Sequence, residues 1–134
     1  MQYSELIPKN KSDYERVGLL KEAGKEKILP ILPQLLEWLK DMNWPIAQDI
    51  EDILADYEEH LIPHIRAVMN SNDGGWKYFL LHGLINRLSH EKLLELKPDL
   101  ERMKLSPTDD EIDEEFAEKI EDLLTRIDSA NGTQ

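Results

Sequence analysis

Two histidines four residues apart, His60 and His64, follow Glu58 and Glu59 near a helix start. On one helical face that spacing can offer two imidazoles to a divalent cation, the most concrete chemistry that the chain suggests. The pattern stops short of a metalloprotease signature, because Leu61 rather than glutamate follows His60 and no third ligand is placed by spacing. His60 and His64 are therefore weak metal candidates, and His82 and His90 read as structural histidines. Carboxylates crowd residues 109–115, but acid–base catalysis needs environments that push two pKa values apart, and a solvated acidic run supplies none. The serines lie at termini, caps and corners without a nucleophile-elbow pattern, and Gly74–Gly75 lacks the Lys-Ser or Lys-Thr that completes a phosphate loop. No catalytic motif is present, and nothing calls for a cofactor.

A different constellation carries binding chemistry. Trp44 and Trp76 each enter the second helix of a pair, so they should lie toward one edge, where with Tyr78 and the flanking Asp41, Asp73 and Lys77 they form an aromatic anchor for a partner. The competing structural reading has Asn43 capping a helix, Trp44 packed as a lid and Pro45 in the first turn. Trp38 falls on the buried stripe of its helix with Leu32, Leu35 and Leu39. A second candidate surface is the acidic C-terminal segment, presenting Asp110, Asp113, Glu114 and Glu118. From Ser106 onward ten acids face only Lys119 and Arg126.

Those residues must be positioned by helices. Apolar residues at 46, 47, 50, 53, 54 and 57 make one buried stripe, with Asp49, Glu51, Asp52 and Asp56 opposite. Residues 13–23 form a helix with Tyr14, Val17 and Leu20 inward and Gly24 as a left-handed stop. Residues 76–88 are apolar nearly all round and read as one central helix, in which Gly83 permits close approach. Thr108 with Glu111 opens a last helix bearing Ile112, Phe116, Ile120, Leu123, Leu124 and Ile127. No alternating strand pattern occurs, so the fold class is all-α.

Helix starts with proline second recur at Pro33, Pro63 and Pro98, spaced 30 and 35 residues apart. Such a period predicts a short right-handed α-solenoid of about three helix pairs with an N-terminal capping helix. One domain over residues 1–128 and a disordered tail over 129–134 are expected.

The proline-led pairs resemble HEAT-like repeats. The blocks LIPKNKSDYE, LLEWLKDMNWPIAQDI, LIPHIRAVM, DGGWKYFLL and KPDLERM are similar to a family of small bacterial proteins known as a domain of unknown function, a likeness spanning about Leu6 to Leu124. It implies a helical repeat domain with no established activity, cofactor or catalytic residue. HEAT-like proteins mostly bind macromolecules, and fold alone does not choose among them.

Composition narrows the partner. A formal charge of −12 over 134 residues repels phosphate backbones, so nucleic acid is disfavoured and a basic protein favoured. No apolar run approaches the ~18 residues of a membrane span. A polar N-terminus and the absence of cysteine point to the cytoplasm. The expected function is a non-catalytic interaction module, an immunity-type inhibitor or regulator of a basic protein; the alternative is a small-ligand or metal-binding enzyme using a groove between repeats.

Overall fold

The computed structural model describes the backbone of residues 3–132 and the side chains of residues 5–129. Among the described residues every regular element is helical and no strand forms. After a 3₁₀ turn at Tyr3–Leu6 come α1 (Tyr14–Glu22), α2 (Lys25–Ile28), α3 (Leu32–Leu36), α4 (Ala47–Ala55) and α5 (Glu58–Met69). Then follow α6 (Gly74–His82), α7 (His90–Glu95), α8 (Lys97–Leu105), α9 (Asp109–Glu114) and α10 (Ala117–Gly132). The expected tail thus begins as helix; residues 133 and 134 lie outside the described residues.

Apolar stripes decide the packing. Leu35, Ile50, Leu54, Leu61, Ile65, Leu80, Leu84 and Leu123 are completely buried within one core that runs from Leu6 to Ile127. Each such side chain contributes on the order of 1.5–3 kcal/mol by leaving water. α3 packs on α4 and α5, α5 on α6 and α7, α6 on α9, and α8 on α10, while α1 covers α4.

Several local expectations fail for identifiable reasons. Proline opens α3 and α8, but Pro63 lies inside α5, which begins five residues earlier at Glu58, the acids Glu58 and Glu59 occupying its positive first turn. The stretch 76–88 is not one helix: α6 ends at Gly83, and a 3₁₀ turn at Ile85–Arg87 follows. A Cβ on Gly83 would overlap Oε1 of Glu51, so the glycine admits a carboxylate rather than a neighbouring helix. Glu51, expected on the solvent face of α4, is accordingly buried. Gly24 has φ −75° and opens α2 instead of stopping α1 in a left-handed turn, and Tyr14 is 56% exposed. Left-handed backbone occurs instead at Glu115 (φ 53°), which divides the expected last helix into α9 and α10. That break leaves Ile112 56% exposed.

Candidate functional site

The tryptophan corner grows from a short turn. After α3, a 3₁₀ turn at Glu37–Leu39 delivers the chain to residues 40–45. There the Asn43 amide donates to Oδ1 of Asp41 at 2.8 Å, and the Trp44 amide donates to the Asp41 carbonyl at 3.1 Å. Asp41 therefore closes the corner. Asn43 does not cap α4, whose cap position is Ile46 with no side-chain bond, and Pro45 precedes the helix rather than sitting in its first turn. Trp44 is half-buried and meets Trp38 edge-on, ring centroids 5.5 Å apart. Trp38 is likewise half-buried rather than enclosed in the core. The two indoles with Ile7, Pro8 and Lys40 line a cleft of about 320 Å³.

Trp76 stands across a ridge from that cleft. Asp73 caps α6 by accepting the Trp76 amide at 3.1 Å, while the indole Nε1 donates to the Leu36 carbonyl at 3.2 Å. This bond ties α6 to the end of α3. Nζ of Lys40 lies 4.7 Å from the Trp76 ring centroid and 3.7 Å from the Glu37 carboxylate. A second cleft of about 210 Å³ lies between Trp76, Pro33, Leu36, Glu37, His64 and Ala67. Glu37 lines both clefts, and Lys40 lines the first while covering the indole of the second. Trp44 and Trp76 thus flank one charged ridge, half-buried indole surface on either side.

Lys77 and Tyr78 do not join them. Lys77 is 0% exposed, so it cannot meet a partner: its Nζ donates to Glu111 Oε2 at 2.7 Å and to Asp110 Oδ2 at 2.8 Å. Two residues along a helix rotate about 200°, so Tyr78 points away from Trp76. It stacks on His82 at 4.3 Å and meets Phe79 edge-on at 5.5 Å.

The buried lysine belongs to an ionic network that holds the acidic segment in place. Glu111 accepts a two-pronged bond from Arg102, at 2.6 Å and 2.7 Å, as well as the Thr108 amide at 3.0 Å. Thr108 completes the expected capping box of α9. Arg102 further donates to the Met69 carbonyl at 3.2 Å, so α5, α6, α8 and α9 meet at one knot. Burial pushes the Glu111 carboxyl up, but the Arg102 and Lys77 bonds and the Thr108 amide outweigh it and hold the pKa at about 2. Of the expected acidic face, Asp110 is turned toward Lys77 and Glu114 is half-buried, whereas Asp113 and Glu118 are exposed. Gly74 makes the contact possible: a Cβ there would come within 2.5 Å of the Asp110 carbonyl and 2.8 Å of the Glu114 side chain.

His60 and His64 go separate ways. Nε2 of His60 is buried without a partner, while His64 lines the second cleft. Among the described residues no group of three or more His, Asp and Glu is placed to hold a metal ion. His90 Nε2 lies 3.2 Å from the Ile127 carbonyl, and His82 Nδ1 lies 3.1 Å from that of Tyr78.

The architecture defines an all-helical module whose half-buried tryptophans gather at one corner. The chain belongs to the family described as a domain of unknown function, DUF5071, whose model matches residues 6–124. No curated protein matches it. Among the described residues, no helix is long and apolar enough to cross a membrane.

Sequence reasoning missed the Arg102–Glu111–Lys77 knot. A usable signal did exist: a lysine in a stretch otherwise apolar nearly all round has to find an acid. Nothing in the spacing identified which one, since Glu111 lies 34 residues away.

Proposed function

We propose that this chain is a non-catalytic binding module, a short α-solenoid of HEAT-like helix pairs that takes a basic protein partner as an immunity-type inhibitor or regulator would. The observation that carries the reading is the pair of clefts on either side of the Glu37–Lys40 ridge, lined by Trp38, Trp44 and Trp76. Half-buried indoles are rigid anchors that exchange water for partner surface at small entropic cost. The net charge of −12 would steer a basic partner toward the module. Contact of α3 with α5, and the Arg66–Asp99 ion pair at 3.0 Å between α5 and α8, support stacking of the proline-led helices.

The test is retention of a partner at low and moderate salt by wild type and by Trp44→Ala/Trp76→Ala, folding being checked by circular dichroism. A basic protein held by wild type, rebinding as a purified component and lost with the folded variant, supports the reading. A purified complex that survives the double substitution overturns this placement of the site.

The first cleft also favours a second reading. Its volume of about 320 Å³ falls at the lower end of small-ligand sites, and its walls combine Ile7, Pro8, Trp38 and Trp44 with the polar Gln34, Glu37 and Lys40. Saturable binding of a small aromatic or aliphatic compound, abolished by Trp44→Ala, would favour a ligand-binding role.

A further inference from the structure

On the C-terminal side of the molecule, α8, α9 and the start of α10 enclose a groove of about 440 Å³ that no tryptophan lines. Met103 and Pro107 form one wall, and Ile112, Phe116 and Ile120 the other. The left-handed residue Glu115 produces it: by turning the chain between α9 and α10, it leaves Ile112 uncovered instead of continuing a buried stripe. A neighbouring hollow shares Lys104 and Glu121 with the groove and carries Leu105, which is 77% exposed. Ile112 and Leu105 are therefore exposed apolar side chains beside a floor of buried Met103, Phe116 and Ile120 on a strongly acidic chain.

The charges around it have one sign once internal pairs are accounted for. Glu111 at the base is held by Arg102 and Lys77, and Lys104 is paired with Glu121 at 2.6 Å. What remains is the exposed carboxylate of Glu115, with exposed Asp113 and Glu118 beside it in sequence. A glycine would suit the Glu115 backbone better, so the acid occupies its place against the local preference.

We propose that this groove docks a basic amphipathic helix from a partner protein, apolar side chains entering against exposed Ile112 and Leu105 above the buried Met103 and Phe116, and cationic side chains meeting Glu115. An apolar floor whose lining is net acidic, with Glu115 unpaired and Lys104 already neutralised by Glu121, is the complement of such a helix. A second copy of the chain is disfavoured as occupant, since each copy carries a net charge of −12. The inference deepens the binding-module reading by giving the partner's chemistry, but does not rest on the tryptophan clefts.

The probe is a fluorescently labelled synthetic Leu/Lys peptide patterned as an amphipathic helix, compared by anisotropy with a permuted peptide of identical composition. The full chain should bind the patterned peptide at least about tenfold more tightly than the permuted one, with salt weakening the complex. Ile112→Asp should weaken binding about tenfold although it adds an attractive charge, because it removes an apolar anchor. Glu115→Gly, which suits the backbone and removes only the charge, should weaken binding at low salt and much less at high salt. Trp44→Ala/Trp76→Ala should bind like wild type. Equal affinity for the two peptides, or retained affinity in folded Ile112→Asp, overturns the proposal; if Ile112→Asp unfolds, unchanged low-salt affinity in Glu115→Gly does so. Binding lost only in the tryptophan variant would move the peptide site to the clefts, whereas failure of the clefts alone leaves the groove standing.

Discussion

At the scale of single residues, the molecule depends on charges that are never seen from outside. Lys77 has exchanged all contact with water for two carboxylates; without it Glu111 keeps the Arg102 fork and the Thr108 amide, and Asp110 loses its cation. Lys77→Met should therefore cost about 1–3 kcal/mol, read as a fall in the urea midpoint. Acid should act on the same knot. The Glu111 carboxyl, held at about 2 in the folded chain, ionises well below its ordinary value of 4.5. Its contribution is fully present above the unfolded value and lost as pH falls through the folded one. Asp13, Asp52 and Asp110 are lowered too and carry the same sign. Urea midpoints should stay level from neutral pH to about 5 and then decline toward pH 2, with Glu111 accounting for roughly 2–3 kcal/mol. Lys77→Met should flatten that decline. At this scale the sequence was legible where an interaction is local, as in the Thr108–Glu111 capping box. It was opaque where partners are distant: Lys77 was read as a surface residue because its acids lie on another helix.

At the scale of elements, two backbone positions decide how the helices meet. Gly74 lets the start of α6 rest on α9, where the Asp110 carbonyl cannot yield to a new methyl group as a flexible side chain would. Gly74→Ala should cost about 1–3 kcal/mol, although alanine is the better helix former, and thermal unfolding measures it. Glu115 presents the converse case. An L-residue in left-handed backbone costs about 1–2 kcal/mol, partly offset in glycine by the entropy of its unfolded chain. Glu115→Gly should leave stability unchanged or raise it by up to about 1 kcal/mol. The α4 stripe was readable because Ile46, Ile50, Ile53 and Leu54 repeat at helical spacing and all are buried. The breaks at Gly83 and Glu115 were not. Apolar periodicity runs straight through both, and only the tertiary demands of the Glu51 carboxylate at Gly83 and the turn into α10 interrupt it. Pro63 misled for the opposite reason, since packing of Leu61, Ile62 and Ile65 holds a helix that the proline alone would weaken.

At the scale of the whole molecule, charge governs encounter while apolar surface governs residence. Association with a basic partner should slow by about tenfold or more between low and physiological salt, while dissociation changes much less; stopped-flow mixing separates the two. The all-helical class could be read from periodicity alone. The tryptophan corner was legible only in part: the matched places of Trp44 and Trp76 predicted a shared edge, but the ridge of Glu37 and Lys40 between them depends on a 3₁₀ turn that periodicity does not reveal. The corner also equips the protein with its own optical reporter. All three tryptophans of the chain lie around that ridge, and none lines the groove between α8 and α10. Excited at the red edge of indole absorption, the protein emits from this corner, and a half-buried indole that loses water shifts its emission to the blue. A ligand seated in the clefts should shift the emission directly, and one seated between α8 and α10, where no indole lines the groove, should shift it far less. An unlabelled protein can thereby tell its two candidate surfaces apart by light.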